Sequence, residues 1–327
     1  MRAVSVILFL IVFSSTCFAA APWKFIAVGD SRNNGTGNGV NTAILREIAS
    51  EIINQGADLV MFSGDLVYGN TTNTTILQKQ LIVWRNTMQS VYDANIAVYP
   101  VRGNHDVGST AAWNNVFSGS YAMPGNGPAG EKNMTYAVVH KNALILGLDE
   151  YDGVNNNRTY HRLNQAWVDA RFAANTKSHI FVFGHEPAFK AQHADCLDDY
   201  PTNRDAFLAG IKNARGRIYF TAHDHFYNHA LVDDNDGDPN NDIHQYIVGT
   251  AGGPLYNWGM GDYNDPNMQL VSYRKQYGYI LGEVDGLNVT LTWMERVRVN
   301  TYTAKEVWSY TAVPAFVDDG GVGLIRK

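Results

Sequence analysis

Leu59-Val60-Met61-Phe62-Ser63-Gly64-Asp65-Leu66-Val67-Tyr68 is an apolar run that ends in a Gly-Asp pair and a tyrosine. Four other short polar motifs follow apolar, strand-like runs in the same way. In chain order the five motifs are Gly29-Asp30-Ser31-Arg32, Gly64-Asp65-Leu66-Val67-Tyr68, Gly103-Asn104-His105-Asp106, Gly184-His185-Glu186-Pro187 and Ala222-His223-Asp224-His225. Besides His105, they supply two carboxylates, an amide oxygen, a phenol and three imidazoles, which could hold two metal ions that share a carboxylate bridge. The motifs therefore predict a hydrolytic metal site.

The middle of the chain alternates predicted strands and helices, which is typical of an α/β fold. Predicted strands cover residues 24–28, 59–63, 96–101, 134–139, 143–148, 179–183 and 218–221, and a predicted hairpin covers 277–284 and 288–294. Apolar residues at helical spacing predict helices around 44–52, 77–91 and 163–174. The motifs come directly after predicted strands, and open α/β sheets bind ligands at the carboxyl ends of their strands.

Composition sets limits on the class of protein. The chain has 327 residues, of which 45% are hydrophobic and 17% charged, so it is long enough to bury a large core. Its net charge of −6 argues against nucleic acid as a stable partner, because binding to the phosphate backbone needs a basic surface.

Residues 1–19 resemble an export signal. Arg2 precedes an apolar run that ends at Phe13, and small residues up to Ala19 give a cleavage site. We therefore expect a secreted or periplasmic protein with no membrane attachment once the signal is removed. A lipid anchor on Cys17 is the alternative, although Ser14 stands where a leucine-like residue is expected. The predicted division is a signal peptide over 1–19, a catalytic domain over 20–300 and a C-terminal extension over 301–327.

The ordered motifs resemble those of the calcineurin-like metallophosphoesterase superfamily and, within it, the purple acid phosphatase-like branch. The resemblance runs from about residue 24 to about residue 295. It implies an α/β fold of the four-layer α/β/β/α sandwich type, with the metal site at the carboxyl ends of the strands. It also implies a metal-dependent phosphoric ester hydrolase in which a metal-bound hydroxide attacks the phosphorus of a small phosphorylated substrate.

The same resemblance assigns the metal ligands. It implies that Asp30 holds the first metal ion, that Asp65 bridges both ions, and that His225 returns to the first ion. The ligands that it implies for the second ion are Asn104, His185 and His223.

The first motif departs from the family pattern, because no histidine stands two residues after Asp30. Tyr68 is present, as in the purple branch, and its phenolate would supply the missing ligand and favour Fe(III). The resemblance thus implies iron together with Fe, Zn or Mn. The alternative is that Tyr68 is an ordinary buried aromatic residue. Arg32 has no counterpart in the family pattern; it would clamp a substrate phosphate or pair with a carboxylate such as Asp106.

The predicted catalytic residues are His105, Asp106 and Arg32. His105 is the candidate to stabilise or protonate the leaving oxygen, with Asp106 orienting its ring. Two alternatives remain open: a phosphodiesterase or nucleotidase of the same fold, and a catalytically inactive metal-binding surface protein. The complete ligand set argues against the inactive protein.

Two segments outside the motifs are rich in charged residues. Residues 186–205 carry His193, Cys196 and several acids close to a predicted ligand. Residues 233–242 resemble a calcium-binding loop in composition, but their aspartates and glycine are out of register with the EF-hand pattern. We therefore interpret them as an acidic hairpin turn.

Overall fold

The computed structural model describes residues 20–151 and 160–313. The predicted signal peptide and residues 314–327 lie outside the described residues. Within these ranges the strands and α-helices are, in chain order, β1 (Trp23–Val28), α1 (Thr42–Asn54), β2 (Leu59–Phe62), α2 (Thr74–Thr87), α3 (Gln89–Asp93), β3 (Ala97–Pro100), α4 (Thr110–Val116), β4 (Tyr136–His140), β5 (Ala143–Gly147), α5 (Gln165–Ala173), β6 (His179–Phe183), α6 (Pro201–Asn213), β7 (Ile218–Thr221), β8 (Tyr227–Val232), β9 (Ile243–Val248), β10 (Met268–Arg274), β11 (Gly278–Asp285), β12 (Asn288–Arg298) and β13 (Thr301–Thr311).

The first sheet has six strands in the order β13-β12-β11-β1-β2-β3. β1, β2 and β3 are parallel, whereas β11, β12 and β13 join the sheet as antiparallel neighbours. β2 consists of Leu-Val-Met-Phe with every side chain buried, as expected for a parallel strand that is covered on both faces. The carboxyl ends of β1, β2 and β3 therefore meet at one edge.

The second sheet has seven strands in the order β10-β8-β9-β7-β6-β5-β4. Its central strands β5, β6, β7 and β9 are parallel, and β4, β8 and β10 are antiparallel to their neighbours. The hairpin between β8 and β9 is formed by residues 233–242, so the acidic turn predicted there is confirmed.

The two sheets pack face to face. The ring of Phe25 in β1 lies 4.9 Å from that of Phe181 in β6, centroid to centroid. Side chains alternate along β6, so Phe181 and Phe183 join the core between the sheets while Val182 packs with Phe207 of α6. Because α1–α3 cover the first sheet and α5 and α6 the second, the predicted α/β/β/α sandwich is confirmed.

Short polar residues start several of the helices. The side chains of Asn41, Asn73, Ser109 and Asn164 accept hydrogen bonds from the first backbone amides of α1, α2, α4 and α5. The single helix predicted over 77–91 is divided into α2 and α3. Met88 separates them with φ −86° and ψ 1°, outside ordinary helical values.

The segment predicted as a C-terminal extension begins with a strand of the first sheet. β13 pairs with β12 along its length and is the edge strand of that sheet. The predicted boundary at residue 300 falls in the turn between the two strands, and the division into domains stays a prediction. Over residues 20–151 and 160–313, no helix has the length and apolar character that a membrane span requires.

Candidate metal centre

The predicted motifs lie just beyond the carboxyl ends of strands. Asp30 follows β1, Asp65 follows β2 and Asn104 follows β3. In the second sheet, His185 follows β6 and His223 follows β7. Because β1–β3 are parallel, as are β6 and β7, the five side chains start from the same edge of the sandwich.

Backbone hydrogen bonds join the first two motifs. The amide of Asp30 donates to the carbonyl of Gly64 at 3.0 Å, and the amide of Ser31 donates to the carbonyl of Asp65 at 3.0 Å. The hydroxyl of Ser31 donates to the carbonyl of Leu66 at 2.9 Å. These bonds hold the carboxylates of Asp30 and Asp65 beside each other.

Asp30, Asp65 and His185 form the centre of the cluster. All three are buried, and one ligand atom from each lies within 4.8 Å of the others. Nε2 of His185 lies 3.6 Å from Oδ1 of Asp65 and 3.2 Å from Oδ1 of Asn104. Nε2 of His225 lies 3.5 Å from Oδ1 of Asp30. The structure therefore brings five of the predicted metal ligands together.

The rings of His185 and His225 are oriented by backbone carbonyls. Nδ1 of His185 lies 2.8 Å from the carbonyl oxygen of Ser63, and Nδ1 of His225 lies 2.9 Å from that of Pro254. In each ring Nδ1 donates to the carbonyl, which leaves Nε2 as the atom that faces the carboxylates. This is the arrangement by which proteins usually hold a metal-binding histidine.

His223 lies next to this group but also faces an additional carboxylate. Its ring centroid is 5.0 Å from that of His185, and its Nε2 is 3.5 Å from Oδ1 of Asp195. Burial lowers the pKa of His223, but the nearby carboxylate of Asp195 and the charges of Asp224 and Glu186 outweigh burial and raise it to about 10. Asp195 was not among the predicted site residues.

The donor atoms fit bound metal ions. Both carboxylate oxygens of Asp30, and Nε2 of His223 and of His225, are buried without a hydrogen-bond partner among the described residues. Buried polar atoms are rarely left in this state, because each one costs desolvation free energy. A mixed set of carboxylate and imidazole donors suits Fe, Zn or Mn, and the ions would satisfy these atoms.

Three of the predicted ligands have a left-handed backbone conformation. The φ angles are 54° at Asp30, 49° at Asp65 and 67° at His223. Such values are uncommon for residues other than glycine, and they concentrate at functional sites because the surrounding structure must enforce them. Close approach also requires glycine nearby: a Cβ atom on Gly103 would lie 2.2 Å from Oδ1 of Asp65.

His105 is positioned by its neighbours in a way that differs from the prediction. Its amide donates to Oδ1 of Asp65 at 2.9 Å, and its Nε2 lies 3.9 Å from Oδ2 of Asp65. Its Nδ1 contacts the backbone oxygen of Tyr68. Asp106 is fully buried and accepts hydrogen bonds from the amides of Leu66 and Val67, at 3.1 and 3.3 Å, and from that of Gly103 at 2.9 Å. Asp106 thus ties the second motif to the third, and the ring of His105 is oriented by the carbonyl of Tyr68 instead.

Arg32 pairs with a predicted ligand. Its Nε lies 3.3 Å from Oδ2 of Asp65, and its guanidinium donates to the hydroxyl of Tyr256 at 2.9 Å. Its partner is therefore Asp65 and not Asp106, which we had suggested from the sequence. The ring of Tyr256 stacks on His225, with centroids 4.4 Å apart and planes 11° apart. Tyr256 was missed because it lies outside the five motifs.

Tyr68 lies at the side of this group. Its ring centroid is 5.6 Å from that of His105, and its ring packs closely on Gly35. The part that its hydroxyl plays in metal binding stays a prediction.

The segment over 186–205 supplies a further histidine that the motifs did not indicate. Nδ1 of His193 lies 2.5 Å from Oδ1 of Asp224, the residue between the predicted ligands His223 and His225. The ring of His193 lies 4.3 Å from that of His223 and 5.4 Å from that of Tyr256. His193 stands eight residues after His185, and this short separation was the feature of the sequence that could have placed it at the site.

Buried polar residues beneath the site keep the motifs in place. Arg102 forms a bidentate pair with Asp149, at 3.0 and 2.6 Å, one residue before Gly103. Glu150 accepts hydrogen bonds from the amide of His185 at 2.8 Å and from the hydroxyl of Tyr219 at 2.6 Å. Burial and the charge of nearby Glu186 raise the pKa of Glu150. None of these partners was identified from the sequence.

Solved structures share this fold. Purple acid phosphatase PPD1 from yellow lupin (Lupinus luteus) seeds has a TM-score of 0.62 at 11% identity, over 89% of this chain and 54% of that chain. GAP50, described as the anchor in the inner membrane complex of Plasmodium, has a TM-score of 0.59 at 13% identity, over 89% and 88% of the two chains. A dimetal phosphatase from Danio rerio has a TM-score of 0.57 at 14% identity, over 89% and 99%. The chain thus spans about half the length of the lupin enzyme, and these identities show the fold alone.

No curated protein sequence matches the chain. The sequence model of the calcineurin-like phosphoesterase family, however, matches residues 24–227, which include all five motifs. This range is more than half of the chain and contains every predicted metal ligand. The chain therefore belongs to the calcineurin-like phosphoesterase family.

Proposed function

We propose that this metal-dependent phosphoesterase is a secreted enzyme with two metal ions that hydrolyses phosphate esters of small molecules. The observation that carries the proposal is the buried convergence of Asp30, Asp65, His185 and His225, which leaves both oxygens of Asp30 without a partner. Two metal ions bound there would supply the hydroxide that attacks phosphorus.

The position of Asp65 supports a bridging role. Its Oδ1 faces Nε2 of His185 at 3.6 Å, whereas its Oδ2 faces Nε of Arg32 at 3.3 Å. A carboxylate oxygen of Asp65 also lies within 4.8 Å of ligand atoms of both Asp30 and His185, which we assign to different ions. Asp30 and His225 would hold one ion, and the second ion would take Asn104, His185 and His223.

His105 is the residue that we assign to the leaving group. Its Nδ1 donates to the carbonyl of Tyr68, so Nε2 is the nitrogen that is available to hold a proton for the leaving oxygen. The side chain is 14% exposed, so it is not closed off from solvent. Arg32, held by Tyr256 and Asp65, adds positive charge beside the attacked phosphoryl group.

We further propose a purple acid phosphatase-like site that contains iron together with Fe, Zn or Mn. The support is the pair of changes in the motifs, because Tyr68 is present and the histidine after Asp30 is absent. A phenolate ligand at the first metal would favour Fe(III). Secretion rests on the resemblance of residues 1–19 to a signal peptide, and the amino-terminal sequence of the exported protein would test it.

Metal analysis and a substrate panel test the proposed reaction. Protein purified without chelator should contain close to two equivalents of transition metal per chain. It should hydrolyse at least one class among phosphate monoesters, diesters and nucleotides. Asp65→Asn should lose both metal and activity, whereas Asp169→Asn, an exposed carboxylate on α5, should keep both.

Two outcomes would contradict the proposal. A fully active protein that holds a single metal ion would exclude the dinuclear site. A protein with two metal ions and no turnover on any of the three substrate classes would favour the inactive metal-binding alternative.

A further inference from the structure

A second cluster of carboxylates lies at the opposite end of the second sheet. β8 begins shortly after the ligand His225, and β9 leads back to Gly249 beside the metal centre. The hairpin over residues 233–242 joins the far ends of these two strands. Because each strand has six residues, the hairpin lies roughly 20 Å from the metal centre.

Three aspartates of this hairpin come together. Asp233, Asp234 and Asp242 each place a carboxylate oxygen within 4.8 Å of the others. Asp233 directly follows β8 and Asp242 directly precedes β9, so the antiparallel pairing of the strands creates the cluster. The three residues line a cavity of about 240 Å³, which Asn241 also lines.

One carboxylate oxygen of the buried member of the cluster lacks a partner. Asp242 is 4% exposed, and its Oδ1 is buried without a hydrogen-bond partner among the described residues. The side-chain oxygen of Asn241 is in the same state. A buried carboxylate oxygen without a partner is costly, and this one lies with the amide oxygen of Asn241 beside the same cavity.

The positive side chains nearby leave negative charge in the hairpin. Lys212 contacts Asp234 and lies 2.6 Å from Oδ2 of Asp236. Nε of Arg217 is directed to the backbone carbonyl of Asp242, at 2.8 Å. The hairpin carries five aspartates, and Lys212 contacts two of them, neither of which is Asp242. Arg204, which also lines the cavity, pairs with Asp198 and Asp205.

We propose that Asp233, Asp234 and Asp242, with the side-chain oxygen of Asn241, bind one calcium ion. All the donors are oxygens, which Ca²⁺ prefers, and the site lacks the nitrogen and sulfur donors that transition metals favour. Water would complete the six to eight ligands that Ca²⁺ takes. The EF-hand register is not required, because the ligands come from the two ends of a hairpin rather than from alternate positions of one loop.

The expected role of the ion is to stabilise the β8–β9 hairpin. Binding to the folded chain alone would raise its stability according to the concentration of calcium. His225 precedes β8 and Gly249 follows β9, so the hairpin and the metal centre lie at opposite ends of the two strands. The ion takes no part in the reaction.

Calcium titration of the metal-loaded protein tests the proposal. The protein is loaded with its transition metals, freed of calcium, and titrated with CaCl₂ by calorimetry and by thermal unfolding. We expect one saturable calcium equivalent and a rise in Tm, with a much weaker response to MgCl₂. Asp242→Asn and Asp233→Asn should each weaken calcium binding by about tenfold or more, because fewer charged ligands raise the Kd.

The control is Asp238→Asn, which lies in the same hairpin outside the cluster and should bind calcium as the wild type does. Circular dichroism verifies that each variant folds. If Asp242→Asn does not fold, Asp233→Asn, at a partly exposed position, carries the test alone. Phosphoesterase activity should be unchanged in all three variants. Wild-type protein that shows no saturable response to CaCl₂ would overturn the proposal, as would unchanged binding in Asp233→Asn.

Discussion

Replacing Asp106 by alanine distinguishes a structural role from a catalytic one. The carboxylate is fully buried and accepts hydrogen bonds from the amides of Leu66, Val67 and Gly103. Asp106→Ala leaves these three backbone donors buried and unpaired, and each such donor costs about 1–3 kcal/mol. Burial and the charge of Asp65 already raise the pKa of Asp106, so removing the carboxyl group also relieves some repulsion. We therefore expect a net loss near the lower limit of that sum, about 3–4 kcal/mol.

Urea unfolding of the metal-free protein measures this loss, and metal analysis measures its consequence. Because the three bonds hold Asp65 and Asn104 in their places, Asp106→Ala should also retain less metal than the wild type. Asp169→Ala removes an exposed carboxylate and should leave both quantities unchanged. If Asp106 instead acts only by orienting His105, Asp106→Ala will keep wild-type stability and metal content and lose kcat alone. That result would refute the structural role.

Three further predictions concern single side chains. His105→Ala should lower kcat on substrates with poor leaving groups by roughly 10²–10⁴, with metal content unchanged; simultaneous loss of metal would show that His105 is a ligand. Tyr68→Phe should abolish the visible phenolate-to-Fe(III) band of the oxidised, iron-loaded protein. Loss of the band only in Tyr256→Phe would show that the iron ligand is Tyr256, whose ring stacks on His225. Burial, with the charges of His229 and Arg217, lowers the pKa of His244 from 6.5 to about 2, so its contribution to stability is present above about pH 6.5 and is lost as the pH falls. Urea unfolding at pH 7 and pH 5 should differ by about 2 kcal/mol from this group, and His244→Gln should reduce the difference; an equal difference in both proteins would exclude His244 as its source.

The sequence predicted the parts of the fold in which apolar patterns are strong. The strands over 179–183 and 218–221 begin and end where β6 and β7 do, because each is a short apolar run between polar segments. The positions of the predicted ligands at strand ends followed from the same pattern, since each motif directly follows its strand. The hairpin turn predicted over 233–242 implied β8 and β9, but their bounds were not predicted because polar residues such as Asn228, His229 and His244 interrupt their apolar character.

The parts of the site that could not be predicted depend on contacts between distant residues. Arg32 and Tyr256 are 224 residues apart in sequence, and no spacing rule relates them. His193 and Asp224 likewise meet only because two loops pack together above the second sheet. The role of Asp106 was misassigned because its neighbour His105 was the obvious partner in sequence, whereas its carboxylate is directed to backbone amides.

Without bound metal ions, the residues of the site lower the stability of the fold. Asp30, Asp65 and His223 have left-handed backbone angles, at roughly 1–2 kcal/mol for each residue. The two oxygens of Asp30 and Nε2 of His223 and His225 add buried atoms without partners. The buried Arg102–Asp149 pair lies beside the third motif and does not satisfy those atoms. Ions that bind only the folded chain would satisfy them and raise its stability, so the groups that weaken the metal-free protein are the ones that couple folding to metal binding.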